Sequence, residues 1–303
     1  MTNSDKHGDL LPQRPLGNTG IRVTMLGTGG AHVGRAEEES EAQAIIETAI
    51  EGGVRFFDNA YAYQSGRAEE RYGKYLIPKY RDDVFLMTKT TAKDAKTAQE
   101  HLESSLRRMK TDRLDLWQVH SVKDPEDVDL RIEQGVLDVF QKAKADGKAR
   151  YIGFTGHTSP WAHLRMLERT DIFETCQMPI NCADPSFESF ISNVLPVLIE
   201  REMGVLAMKS LSNGGFFGGD KQFCHGPNPL LVPDRVSIEE AVTFTWSHPV
   251  SVLITGADDA SQMQQKIDIA KSFEPLDDAG CQALVGRVED RAGNIVEFYK
   301  TPA

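Results

Sequence analysis

Asp58, Tyr63, Lys89 and His120 are the residues whose types and placement could carry chemistry. Three of them close short apolar runs. Asp58 follows Val54-Arg55-Phe56-Phe57, Lys89 follows Val84-Phe85-Leu86-Met87-Thr88, and His120 ends Leu114-Asp115-Leu116-Trp117-Gln118-Val119. Tyr63 stands in the loop just beyond Asp58. Short apolar runs bounded by turn signals read as buried parallel strands. In a closed barrel of such strands, polar groups at the C-terminal ends converge on one mouth. A carboxylate, a phenol, an amine and an imidazole gathered there make a proton-transfer site.

The elements needed to gather them are written along the chain. Strand-like and helix-like segments alternate almost throughout, the pattern of a parallel α/β fold. Arg14-Pro15-Leu16 and Ile21-Arg22-Val23 flank the turn signal Asn18-Thr19-Gly20, so a short N-terminal β-hairpin is expected. Strands are expected over Val23 to Gly27, Val54 to Phe57, Val84 to Thr88, Leu114 to Val119, Ala149 to Phe154, Glu174 to Met178, Gly204 to Met208 and Val252 to Thr255. Helices are expected over Glu37 to Glu51, Ala68 to Leu76, Thr97 to Met109, Ile132 to Asp146, Pro160 to Glu168, Phe187 to Glu202, Ser237 to Ser247 and Ala260 to Ala270, with an extra C-terminal helix over Asp277 to Glu289. Eight such units predict a (β/α)8 TIM barrel. The rival, a doubly wound sheet, would show a G-x-G-x-x-G turn after its first strand. Gly27-Thr28-Gly29-Gly30 lacks that spacing and is read as leading into no immediate helix. No linker divides the chain, so residues 13–303 read as a single barrel domain behind a flexible lead of residues 1–12. Ser212 to Arg235, rich in Gly and Pro, is a long insert after the seventh strand. It is either a cofactor clamp or substrate wall, or a solvated excursion.

Composition narrows the function classes. Lys+Arg 34 against Asp+Glu 45 leaves a net charge of -11, which disfavours nucleic acid and anionic membranes as partners. No stretch reaches the roughly 20 apolar residues of a membrane helix, and Met1 to Leu11 lacks the apolar core of a secretion signal. Cys176, Cys182, Cys224 and Cys281 show neither C-x-x-C pairing nor metal-ligand spacing. Reduced thiols in a cytoplasmic protein, with no metal site, are the expectation.

With these motifs in order, the chain resembles the aldo-keto reductases. The matching stretches are Phe57-Asp58-Asn59-Ala60-Tyr61-Ala62-Tyr63, Met87-Thr88-Lys89, Leu114 to His120 and Gly147 to Thr155, and the likeness runs from about Arg14 to Phe273. The resemblance implies nicotinamide-dependent reduction of a small-molecule aldehyde or ketone. Tyr63 would be the general acid, its pKa of ~10 lowered by a neighbouring cation. Lys89 would be that cation, held by Asp58, and His120 would hydrogen-bond the developing alkoxide.

The resemblance also implies the cofactor contacts. Gly29, Gly30, Leu211, Gly256 and Gln265 fall on them. Thr155 and Gln177 stand where the family grips the carboxamide, but Gly156 replaces an expected Asn. His157 then either compensates or is a polar residue at a helix start. Met208 stands where an aromatic usually stacks on the nicotinamide, and a thioether can pack on a ring face. Lys209 either pairs with the pyrophosphate or is solvated at the loop edge. NADP(H) is the family expectation. Gln262 replaces an expected Arg near the 2′-phosphate position, leaving Lys266 as the nearby cation, while Asp258 and Asp259 would favour the free ribose hydroxyl of NAD(H).

Three rivals remain in view. A Schiff-base aldolase would use Lys89 or Lys209. A metal-dependent hydrolase would want a His-x-His pair, which is absent. A redox-sensing regulatory module could keep the same four residues and bind the nicotinamide without significant turnover. The short stretch after Glu289 predicts an open pocket in which the last residues, from Lys300 on, form no wall. Nothing in the sequence names the natural substrate or the oligomeric state.

Overall fold

A computed structural model describes residues 4–217, 235–293 and 296–300. Its centre is a closed barrel of eight parallel strands: β5 (Leu26–Gly29), β6 (Phe56–Asp58), β7 (Phe85–Thr90), β8 (Leu114–Val122), β9 (Ala149–Gly156), β10 (Thr175–Pro179), β11 (Gly204–Met208) and β12 (Val252–Thr255). They follow one another around the ring in chain order, and β12 closes on β5 through Leu253–Leu26 to Thr255–Thr28. The expected (β/α)8 architecture is therefore the observed one.

Inside the ring, Leu16, Val23, Phe56, Met87, Leu116, Leu206 and Val252 pack as a plug near the bottom. The antiparallel pair β3 (Gln13–Pro15) and β4 (Arg22–Thr24) is the expected hairpin, and it caps this end. The first barrel strand lies further along than the sequence suggested. Val23 belongs to the hairpin, and the chain turns at Met25, whose amide donates to Pro12 O at 2.8 Å.

Residues 4–11 are not a loose lead. β1 (Ser4–Asp5) pairs with β2 (Gly8–Asp9), Leu11 is buried, and its amide bonds Gly53 O at 3.1 Å. Asp5 grips Arg55 from two sides, at 2.7 and 2.9 Å. The Arg55 hydrogen bond, ahead of the opposing cost of burial, holds the Asp5 carboxyl down at about 2. A polar segment thus becomes ordered by satisfying a buried guanidinium, something hydrophobic patterning does not register.

The outer ring opens with α1 (Gly30–Arg35), directly after β5. That corrects the reading of Gly27 to Gly30 as leading into no helix. It is followed by α2 (Glu39–Glu51), α3 (Arg67–Arg71), α4 (Ile77–Tyr80) and α5 (Ala95–Met109). The single helix expected after β8 is two, α6 (Pro125–Glu133) and α7 (Val136–Ala145), separated at Gly135 with φ 75°. Asp124 caps α6 by accepting from Asp127 N, with Pro125 at its first turn. Those are start signals in their own right. After α8 (Pro160–Arg169), the expected helix 187–202 is likewise split, into α9 (Phe190–Asn193) and α10 (Leu195–Glu200). Pro196 lacks the amide that an unbroken helix would need there. α11 (Ile238–Trp246), α12 (Ala260–Lys271) and α13 (Asp278–Val288) complete the set. No helix among the described residues is long and apolar enough to cross a membrane.

Candidate active site at the barrel mouth

The strand ends deliver three of the four singled-out residues to one place. Asp58 ends β6, Lys89 is the penultimate residue of β7, and His120 lies near the end of β8. The Lys89 ammonium makes an ion pair with Asp58, both almost completely buried. It also donates to Asn59 O at 2.7 Å and to the Tyr63 hydroxyl at 3.3 Å. The Tyr63 ring meets the His120 ring edge-on, with centroids 5.7 Å apart. All four side chains therefore converge.

Tyr63 reaches the group through a strained loop. Gln64 and Ser65, immediately after it, hold φ of 46° and 55°. Such left-handed residues cost energy and persist only where surroundings impose them. Here Tyr61 N donates to Lys89 O at 3.0 Å, and the Tyr61 ring stacks on His101 at 3.6 Å. Arg108 donates to Tyr61 O at 3.2 Å and pairs with buried Glu69, which in turn accepts from Thr88 beside Lys89. Gly66 leaves the room that Arg108 occupies: a Cβ there would fall 2.4 Å from its Cζ.

The electrostatics depart from the sequence expectation in one respect. Burial raises the Tyr63 phenol above its ordinary value, and the Lys89 cation offsets only part of that rise. The phenol is thus held in the protonated form that an acid must start from. Burial would lower Lys89, but Asp58 and then Tyr63 hold it above its usual range. Burial, reinforced by Lys89 and His157, pushes His120 well below ordinary histidine values, so it is a neutral imidazole at physiological pH. Its Nδ1 is buried without a partner. Arg131 of α6 fixes this strand end by donating to His120 O at 3.0 Å, and is itself paired with Asp127 at 3.0 Å.

Two cavities meet at this cluster. The first, about 550 Å³, runs from Asp58, Tyr63 and Gln177 past Met208, Lys209 and Leu211 to Gly29, Gly256, Gln262, Gln265 and Lys266. The second, about 1100 Å³, has Tyr63, Lys89, His120, Thr155 and His157 on one side and Phe298, Tyr299 and Lys300 on the other. Met208 and Lys209 line both. Of the residues expected to contact a cofactor, only Gly30 lines neither cavity. It packs on the strand beside it, where a Cβ would fall 2.6 Å from Asp58 O.

The donor set fits a nicotinamide. Gln177 Oε1 is buried with no partner, and the side chain lines the first cavity together with Asp58 and Tyr63. A carboxamide N–H is the kind of group that would satisfy it. The aspartates after β12 have other partners. Asp259 caps α12 by accepting from Gln262 N at 2.8 Å, and Asp258 lies 3.4 Å from Arg35 and 3.7 Å from His32. His32 is a wall residue that neither periodicity nor motif singles out. Its ring fills the space over Gly256, where a Cβ would fall 1.8 Å from Nδ1. Most of the long insert, residues 218–234, lies outside the described residues, so the expected clamp is not visible there.

The far wall corrects the expectation that residues from Lys300 on form no wall, because Lys300 lines the second cavity. Lys300 is fully buried, paired with Asp184 at 2.7 Å and Glu297 at 2.9 Å, and donates to Phe187 O at 2.6 Å. Tyr299 donates to Glu297 at 3.2 Å and accepts from Asn181 at 2.9 Å. Buried charge therefore pins residues 297–300 at the mouth, where Phe298, Tyr299 and Lys300 line the second cavity.

Residues 25–229 match the model of the Aldo/keto reductase family. The chain is 25% identical over 293 residues to the oxidoreductase YqkF of Bacillus subtilis (strain 168), covering 86% of this chain and 91% of that protein. It is 28% identical over 303 residues to a probable voltage-gated potassium channel subunit beta of Oryza sativa subsp. japonica, covering 83% and 89%. Among solved structures, the holo form of aldo-keto reductase AKR11C1 from Bacillus halodurans superposes with a TM-score of 0.76 at 22% identity, over 96% of this chain and 100% of that one.

Replacing Lys300 by Met leaves Asp184 and Glu297 buried without their cation. Breaking a buried pair this way costs about 3–5 kcal/mol. A clear fall in the thermal midpoint and a raised KM for a carbonyl substrate are expected. Unchanged midpoint and KM would show that the tail forms no wall.

Proposed function

The chain belongs to the aldo/keto reductase family, and from that premise we propose that it reduces an aldehyde or ketone to an alcohol with Tyr63 as the proton donor. The observation that carries this reading is the Tyr63 hydroxyl 3.3 Å from the buried Lys89 ammonium, itself paired with Asp58. A bound reduced nicotinamide supplies the hydride that goes to the carbonyl carbon. As charge builds on the carbonyl oxygen, Tyr63 Oη gives it a proton, and the resulting phenolate is stabilised by Lys89. Neutral His120 donates a hydrogen bond to the same oxygen, which orients the carbonyl and stabilises the developing charge by a few kcal/mol. Gln177 and Thr155 would hold the carboxamide, and Met208 would pack on the ring. Phe298 to Lys300 form the far wall of the cavity in which the carbonyl would lie.

Similarity to a channel β subunit keeps a second reading in view, in which the same site binds the nicotinamide and senses its redox state. Turnover separates the two. Tyr63→Phe should lower kcat by about 10²–10⁴-fold and leave the cofactor Kd within roughly twofold, because it removes a transition-state interaction. Unchanged kcat in Tyr63→Phe contradicts the proton-donor role. A wild-type protein that binds cofactor but reduces none of a panel of aldehydes favours the sensor.

NADP(H) is the proposed cofactor, with NAD(H) the alternative. Supporting it, Asp258 is countered by Arg35 and His32, Asp259 is engaged as a cap, and Lys266 reaches the cavity with its ammonium on Gly256 O at 2.5 Å. Burial lowers Lys266 to about 8. It is therefore largely charged at neutral pH, and its attraction for a 2′-phosphate is lost as the pH rises through about 8. The ratio of kcat/KM for NADPH to that for NADH should exceed one near neutrality and shrink above that pH. A tenfold preference for NADH at neutral pH, ~1.4 kcal/mol, would show that the two aspartates dominate.

A further inference from the structure

The second cavity holds a positive charge that proton transfer does not use. Lys89 is committed to Asp58, and Lys300 to Asp184 and Glu297. Lys209 has no such commitment: among the described residues no carboxylate pairs with it. Its ammonium lies 5.0 Å from the centroid of the Tyr299 ring. Lys209 lines both cavities, and Tyr299, which its ammonium approaches, is on the second, so the cation is within reach of a ligand on the carbonyl side. The His157 ring is 6.0 Å from the same tyrosine, and Lys123, just past β8, lines the same cavity and adds positive charge near His157.

The acids on this wall already have partners. Asp124 caps α6, accepting from Asp127 N at 2.7 Å, and Glu188 accepts from Trp161 Nε1 at 3.1 Å. Lys209 is unfavourable for stability on two further counts. Its backbone is left-handed, with φ 59°, and burial together with the Lys89 charge lowers its ammonium to about 8. An unpaired, half-buried cation on a strained backbone at a cavity wall marks a ligand contact.

We propose that Lys209, with His157 and Lys123 on the same wall, binds the carboxylate of an anionic carbonyl substrate, an aldehyde acid or keto acid whose carbonyl lies at Tyr63 and His120. This rests on the reduction proposed above. His157 is lowered to about 3, chiefly by burial, so it serves as a neutral donor beside the cation.

The test uses benzaldehyde and 4-carboxybenzaldehyde, which differ by one carboxylate. At neutral pH the wild-type kcat/KM should be at least about tenfold higher for the acid. Lys209→Met should collapse that ratio, and Lys209→Arg should retain most of it. Terephthalate, which cannot react, provides a readout independent of turnover: calorimetry on the NADP⁺-loaded protein should show binding at least about tenfold tighter to wild type than to Lys209→Met. Equal aldehyde efficiencies in wild type, or equal terephthalate affinities, overturn the inference. So does an unchanged ratio in Lys209→Met accompanied by weaker NADPH binding, which would place Lys209 on the pyrophosphate. If neither aldehyde is reduced yet terephthalate binding depends on Lys209, the reduction reading fails and the anion site stands.

Discussion

The buried ion pair between Lys89 and Asp58 is the interaction on which the rest of the site depends. Moving both charges out of water costs several kcal/mol per ion, and only excellent geometry offsets it. The barrel supplies that geometry. β6 pairs with β7 through Phe56–Phe85 and Phe57–Leu86, a register that carries Lys89 two residues past the level of Asp58 on the adjacent strand end, facing the same side. The ammonium's other donors are used as well: Lys89 also bonds Asn59 O and Tyr63. A one-residue slip of either strand would turn its polar residue away from the mouth. The pair thus makes strand register a condition of function.

Around that fixed point the protein accumulates local strain at the mouth. Gln64, Ser65, Ser121, Lys209, Ser212 and Asn213 all take positive φ, and they lie in loops after β6, near the end of β8 and after β11. Each is over-determined by neighbours. Arg108 and Glu69 hold the Tyr63 loop, Arg131 holds the chain at His120 and Ser121, and Ser212 Oγ donates to Val296 O at 2.6 Å. The last of these bonds ties the loop after β11 to the tail. The walls of the two cavities are thereby connected by a hydrogen bond as well as by the apolar packing of Leu211, Phe216 and Val296.

How much of this was legible depends on which physical signal a residue carries. Strand and helix periods were enough for the barrel. β11 and β12 fall on Gly204–Met208 and Val252–Thr255, as their apolar runs indicated. Asp58, Lys89 and His120 were visible because each ends an otherwise apolar run, whereas Tyr63 was visible only through the stretch Phe57 to Tyr63 that the resemblance rests on. Helix breaks were less visible: Asp124-Pro125 and Gly135 could have separated α6 from α7, but the apolar stripe of α7 dominated the reading. The tail was misread because length was weighed and buried charge was not. Lys300, Asp184 and Glu297 are far apart in sequence or look solvated, and only the fold brings them into contact. His32 gave no signal at all, since its role comes from the space that Gly256 leaves open. The placement of residues 4–11 was hidden for a similar reason, because it rests on Asp5 meeting Arg55 across the bottom of the barrel.

The central claim is that Asp58, Lys89 and Tyr63 act as one proton-donating unit. Single-turnover hydride transfer in wild type, Tyr63→Phe, Lys89→Met and the double variant measures that directly. If the unit is real, the double variant is about as slow as the slower single variant, because removing one member already disables the other. If the logarithms of the two single losses simply add in the double variant, Tyr63 and Lys89 act independently and the account fails.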